Sequence, residues 1–225
     1  MSDVPPKNAQ NLTNMYTKIR YRAQLRQPVQ VYDLISEIED ICRSYFWTYH
    51  CWDEDWSEPN SLSMTFDGQA LQTEGHAPLK GISLQTGPKE EAVWLTFTPD
   101  GLLNNLFTLD DPMHTANDPK FPWLRTKVRW DDPQNFAGIC KLFRFVADKY
   151  CRVFEVMEET GYWRHGDQQR LTAFMLSVSE GHRQLEEEIA ALQLDEQVLP
   201  EKKYEIIKQL LVEFGQRYRP GGEEG

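Results

Sequence analysis

Apolar residues recur at steps of three and four in some stretches of this chain and at steps of two in others, so helix and strand signals alternate along it. The clearest helix lies between Asp131 and Tyr150. There Phe136, Ile139, Cys140, Phe143, Val146 and Ala147 form one stripe, while Lys141, Arg144 and Asp148 fall to the solvent side, which predicts a helix over 133–149. Asp132 can cap its first amides, and Pro133 occupies the first helical position, where a missing N–H is not needed. From Tyr150 the period changes to two and a strand follows.

The same pattern occurs 105 positions earlier. Pro28 lies under Pro133, and Val31, Leu34, Ile35, Ile38, Ile41 and Cys42 lie under the six stripe residues just named. Tyr45 lies under Tyr150, and both strands run into an acidic turn with a tryptophan. The strand before each helix matches as well: Thr17-Lys18-Ile19-Arg20-Tyr21 stands against Thr126-Lys127-Val128-Arg129-Trp130, at a spacing longer by four. Stripe, proline, tyrosine and preceding strand together predict two related strand–helix–strand units, 16–56 and 123–163.

Alternation predicts an aromatic strand over Tyr45–Trp52 within the first unit and, between the two, a hairpin about Asp67-Gly68 and a second hairpin pairing 81–86 with 92–98. Residues 102–122 carry too many prolines to hold one regular element. Asp167 caps a helix with Leu171, Phe174, Met175, Val178, His182, Leu185, Ile189 and Leu192 on one stripe; Gly181 interrupts it, which allows a kink or a two-helix split near Ser179. Pro200 opens a last helix with Tyr204, Ile207, Leu211 and Phe214 inward. The expected fold is therefore α+β: a largely antiparallel sheet, two pseudo-repeated units covering one face, and a C-terminal helical pair. The expected domains are a disordered 1–14, an α+β domain over 15–166, a helical region over 167–215 and a disordered tail over 216–225.

Composition narrows the function. A net charge of −11 argues against a phosphate-tracking surface, and no apolar run approaches the roughly 20 residues that span a bilayer. The opening residues lack an apolar leader core, so a cytoplasmic protein is expected, acting on neither nucleic acid nor membrane. Cysteines 42, 51, 140 and 151 lack paired spacing and read as small buried apolar side chains that are reduced and bind no metal.

No phosphate-cradling glycine loop, HExxH or GxSxG motif occurs, so no catalytic residue, metal site or cofactor is assigned. His50 with Asp53 and Asp55 offers nitrogen and oxygen donors near one turn, but a solvated acidic turn is the commoner explanation of such a group. Glu155, Glu158 and Glu159 would serve as an acid or base only if desolvated near Trp163. Trp52, Trp56 and Trp163 fall near the ends of matching strands and, with Glu155 and His50, define the expected ligand-binding set, an aromatic cleft between the pseudo-repeats. The leading expectation is a non-enzymatic binding or adaptor protein holding a protein partner, or a second copy, through the C-terminal helices. The alternatives are a small-ligand sensor using that cleft and a hydrolase or metal-dependent enzyme using the acidic and histidine turns.

Overall fold

In the computed structural model, which describes residues 16–66, 71–88, 90–109, 122–194 and 198–218, the first alternating segment is strand β1 (Tyr16–Leu25). Ile19, Tyr21, Ala23 and Leu25 are buried, while Lys18 and Arg20 face solvent. A single 3-10 turn at Pro28–Gln30 leads into helix α1 (Val31–Tyr45), which buries Val31, Leu34, Ile38 and Cys42. The helix ends on Phe46 in the left-handed region (φ 57°), and the Trp47 N–H donates to the Cys42 carbonyl at 2.9 Å. That backbone reversal uses up Tyr45 and Phe46, so the aromatic strand expected from Tyr45 begins later, as β2 (Thr48–Asp53).

Strands β3 (Ser63–Phe66) and β4 (Leu71–Glu74) pair antiparallel; the turn expected at Asp67-Gly68 lies outside the described residues. Then follow β5 (Lys80–Gln85), β6 (Val93–Phe97), the two-residue β7 (Leu103–Asn104) and a helical turn, α2 (Leu106–Leu109). Strand β8 (Leu124–Arg129) precedes α3 (Pro133–Tyr150) and β9 (Cys151–Met157). The Asp132 carboxylate accepts the Asn135 N–H at 3.0 Å, which is the cap the sequence indicates. The chain closes with α4 (Tyr162–His165), α5 (Gln168–Leu194) and α6 (Pro200–Arg217). The regions expected to be disordered fall largely outside the described residues, although α6 continues to Arg217.

The fold is α+β with antiparallel strand pairing, and the described strands are distributed among three sheets rather than one: β8-β1-β9, β2-β5-β6-β7 and β3-β4. Between the two larger sheets runs a β-bridge, Gln24 to Leu102, where β1 loses register and the Leu25 N–H donates to the Gly101 carbonyl at 2.9 Å, and the Tyr21 hydroxyl of β1 accepts the Trp94 N–H of β6 at 2.9 Å. Gly101 has φ +75°, which a residue with a Cβ rarely adopts.

Helices α1 and α3 bury corresponding positions, Val31 with Phe136, Leu34 with Ile139 and Ile38 with Phe143. The strands before them, β1 and β8, are neighbours in one sheet, but those after them, β2 and β9, belong to different sheets. The matching tyrosines also diverge: Tyr45 is exposed, while Tyr150 is buried and donates to Glu37 at 2.8 Å.

Contacts group the chain into two compact units. Among the described residues, one comprises those within Lys18–Lys127 and Gly138–Met157; the other comprises 16–17, Val128–Ala137 and those within 158–218. In the first, Tyr21, Phe143 and Phe154 stack at the centre, with ring centroids 4.5 and 5.4 Å apart. The second holds the C-terminal helices. No helix among the described residues is long and apolar enough to cross a membrane.

Candidate functional site

Antiparallel register decides which side chains share a face of the four-stranded sheet. His50 lies across from Ser83 and Trp94, and Trp52 from Gly81 and Thr96. These rows form one face; Cys51, Ile82 and Leu95 lie on the other, toward α1, where the Cys51 thiol donates to Glu39 at 3.4 Å. Across the first face runs a row of rings. His50 meets Trp52 edge-on at 4.7 Å, Trp52 meets Trp94 at 5.3 Å, and Trp94 meets Phe107 at 6.4 Å. His50 and Phe107 are exposed, and both tryptophans are half-buried. The Trp52 indole N–H donates to Ser83 at 3.0 Å and fixes its ring. Gly81 makes this possible: its φ is +143°, and a Cβ there would lie 2.1 Å from the Leu95 carbonyl oxygen.

At the end of β2, Lys80 reaches between two rings, 5.4 Å from the Tyr32 centroid and 5.7 Å from that of Trp56, and pairs with Asp53. Burial alone would lower the Lys80 pKa, but hydrogen bonds with Asp53 and Tyr32 outweigh it and hold the ammonium above its ordinary value. Trp56 is anchored by its indole N–H, which donates to the Phe97 carbonyl at 3.2 Å.

In the other unit, α5 runs through Gly181 as one helix, so it is not split into two there. A Cβ on Gly181 would sit 2.3 Å from the Tyr218 hydroxyl, so the glycine admits the end of α6. Around it His182 stacks on Phe214 at 4.2 Å, Phe214 meets Tyr218 at 4.7 Å, and Trp130 approaches Phe174 at 5.9 Å. Burial drives the His182 pKa down to about 4.

Of the expected stripe on α5, Leu171, Met175, Val178, Leu185 and Ile189 are buried, and Phe174, His182 and Leu192 are half-buried. That on α6 is displaced. Ile206, Ile207, Leu210 and Phe214 are half-buried, while Tyr204 and Leu211, expected inward, are 70% and 46% exposed, and Val212 is 52% exposed. Apolar residues on two sides of α6 made its inward face ambiguous in sequence.

Comparison with protein-family models, with curated proteins and with solved structures gives no significant match. The reading of function therefore rests on these two constellations.

The structure brings His50 and Trp52 together and places Trp56 in the loop after the same strand. Glu155 lies on β9, in another sheet, where it accepts a hydrogen bond from Arg22 at 2.8 Å. Trp163 belongs to the second unit. Its N–H donates to Glu158 at 3.0 Å, and Glu158 also accepts from Thr160 and Gly161, so this carboxylate organises the turn into α4. Glu159 accepts the Thr17 hydroxyl at 2.8 Å. His50, Asp53 and Asp55 do not converge: Asp53 pairs with Lys80, Asp55 binds Ser57, and His50 packs on Trp52. Among the described residues no three His, Cys, Asp or Glu side chains form a group able to hold a metal ion.

One histidine escaped the sequence reading. The His76 ring contacts the Asp55 carbonyl at 2.8 Å and lies 3.4 Å from Glu54. Its partners are 21 and 22 positions away, and no local pattern announces them. Cys51, expected to be buried, is exposed, whereas Cys42, Cys140 and Cys151 are buried; none of the four forms a disulfide.

Proposed function

We propose that this chain is a non-enzymatic binding or adaptor protein of the cytoplasm that holds a protein partner, or a second copy, through its C-terminal helices. The observation that carries the reading is the exposed apolar surface of α6. Tyr204 and Leu211, seven positions apart, share one side of the helix, with Val212 beside them, while a separate stripe faces α5. A helix with one packed stripe and a second apolar side resembles half of an interface. Tyr204 is the kind of residue that anchors such contacts.

The test is capture from the host's own extract with the wild-type chain and with Tyr204→Glu/Leu211→Glu. Loss of one stoichiometric partner in the double variant supports the reading, and an identical set of bound proteins removes it.

The row His50, Trp52 and Trp94 favours a second reading, a small-ligand sensor, because half-open rings beside the Ser83 hydroxyl suit a flat ligand with one polar group. Saturable quenching of tryptophan emission by such a compound, abolished by Trp52→Ala, is its test.

A further inference from the structure

Strand β2 is the outer strand of its sheet, and no described strand pairs with its other side. The ladder shows which backbone groups it presents there. The Glu54 N–H donates to the Leu79 carbonyl, and continuing that alternation along the register makes Thr48, His50 and Trp52 the residues bonded to β5. Tyr49, Cys51 and Asp53 therefore turn their N–H and carbonyl groups to the open edge. Natural edges are usually blunted by lysine, proline or a bulge. Thr48–Trp52 contains neither residue, and the register with β5 is unbroken over all six positions of the strand.

A second observation concerns the same edge. Phe46, two residues before β2, holds a left-handed backbone conformation that suits glycine, yet its side chain is 94% exposed. The chain pays for a strained bulky residue and recovers no burial from it within one copy.

We propose that β2 pairs in solution with β2 of a second copy of this chain, antiparallel about Cys51, joining two four-stranded sheets across a twofold axis. The edge is self-complementary in this register. Tyr49 falls opposite Asp53 of the second copy, and Tyr49 neighbours the Arg43 guanidinium, which on α1 pairs with Asp40 at 2.9 Å and with Glu39 at 3.6 Å. Arg43 and Asp53 side chains are 59% and 66% exposed, so each acid meets a base across the axis, twice by symmetry. His50 falls opposite Trp52 and continues the ring row from one sheet into the next. Phe46, at the head of one strand, reaches the tail of the other, where half-exposed Tyr32 and Trp56 flank Lys80. A foreign strand would satisfy the backbone groups but has no reason to match both ends.

This pairing uses a different surface from the α6 reading, and the experiment separates them. Light scattering of the full chain at high micromolar concentration should give twice the chain mass. Cys51→Pro removes an outward-facing N–H and, within the chain, no bond to β5 but only the thiol contact with Glu39, so it should halve the mass while circular dichroism stays native. Asp53→Arg should halve it too, and Arg43→Asp/Asp53→Arg should restore it. Tyr204→Glu/Leu211→Glu should leave this dimer intact. If Cys51→Pro unfolds, the charge swap decides. A monomeric wild type, or a dimer that survives Asp53→Arg, overturns the proposal.

Discussion

Tyr218 lays its phenol ring on Gly181, so close that a Cβ at that glycine would stand 2.3 Å from the hydroxyl and 2.4 Å from the ring carbon bearing it. A glycine inside a helix costs about 1 kcal/mol relative to alanine, and here the cost admits the end of α6 against α5. Gly181→Ala should therefore displace Tyr218 and gain little. In a Tyr218→Ala background, the same substitution should stabilise the protein by about 1 kcal/mol. Urea denaturation of the four variants checks the cycle.

His182 gives the helical hairpin a pH dependence of known sign. Burial lowers its folded pKa to about 4 from an ordinary 6.5. The unfolded chain takes up the proton first as pH falls, so this contribution is complete above about 6.5 and is lost between there and about 4. The melting temperature should drop over that window more for the wild type than for His182→Phe, which keeps a ring against Phe214 and cannot titrate. Parallel curves for the two proteins would contradict this.

Phe143 is fully buried between Tyr21 and Phe154, and Ile38 is fully buried on α1. Phe143→Ala should cost about 3–5 kcal/mol and Ile38→Ala about 2–5 kcal/mol in chemical denaturation. Shifts within error for both would mean that the stripes are not core.

These stripes were legible because a helix repeats every 3.6 residues, so burial of Leu171, Met175, Val178, Leu185 and Ile189 can be read locally. Alternation in β1 and the Asp132 cap were legible for the same reason. What was hidden depends on distant partners or on ambiguous phase. The division into three sheets depends on pairings such as β2 with β5, which no local pattern encodes, and on Gly81 letting strands approach. The start of β2 was misplaced because a phenylalanine occupies the left-handed position that glycine usually marks. On α6, Leu210 and Leu211 are both apolar, and periodicity alone chose the wrong one. Of the ligand set, His50 and Trp52 do adjoin, while Glu155 binds Arg22 on a different sheet, a pairing across 133 positions that sequence spacing cannot reveal.

Cysteine accessibility offers an independent check on burial. Cys51 is the one exposed thiol, although burial and the Glu39 hydrogen bond raise its pKa to about 11; burial raises Cys42 to about 11 and Cys151 to about 12. A maleimide should label Cys51 alone in the native protein, slowly at neutral pH and faster as pH rises, and all four thiols in denaturant. Native labelling of any other cysteine would contradict the packing of α1, α3 or β9.

Native mass spectrometry of the protein isolated from its own host tests the binding reading most directly. The account predicts a discrete complex that loses the chain held on α6, a partner or a second copy, in Tyr204→Glu/Leu211→Glu, leaving the single chain or the β2-paired dimer while the fold is retained. A lone chain in the wild type, or a complex of unchanged mass in the double variant, would contradict it.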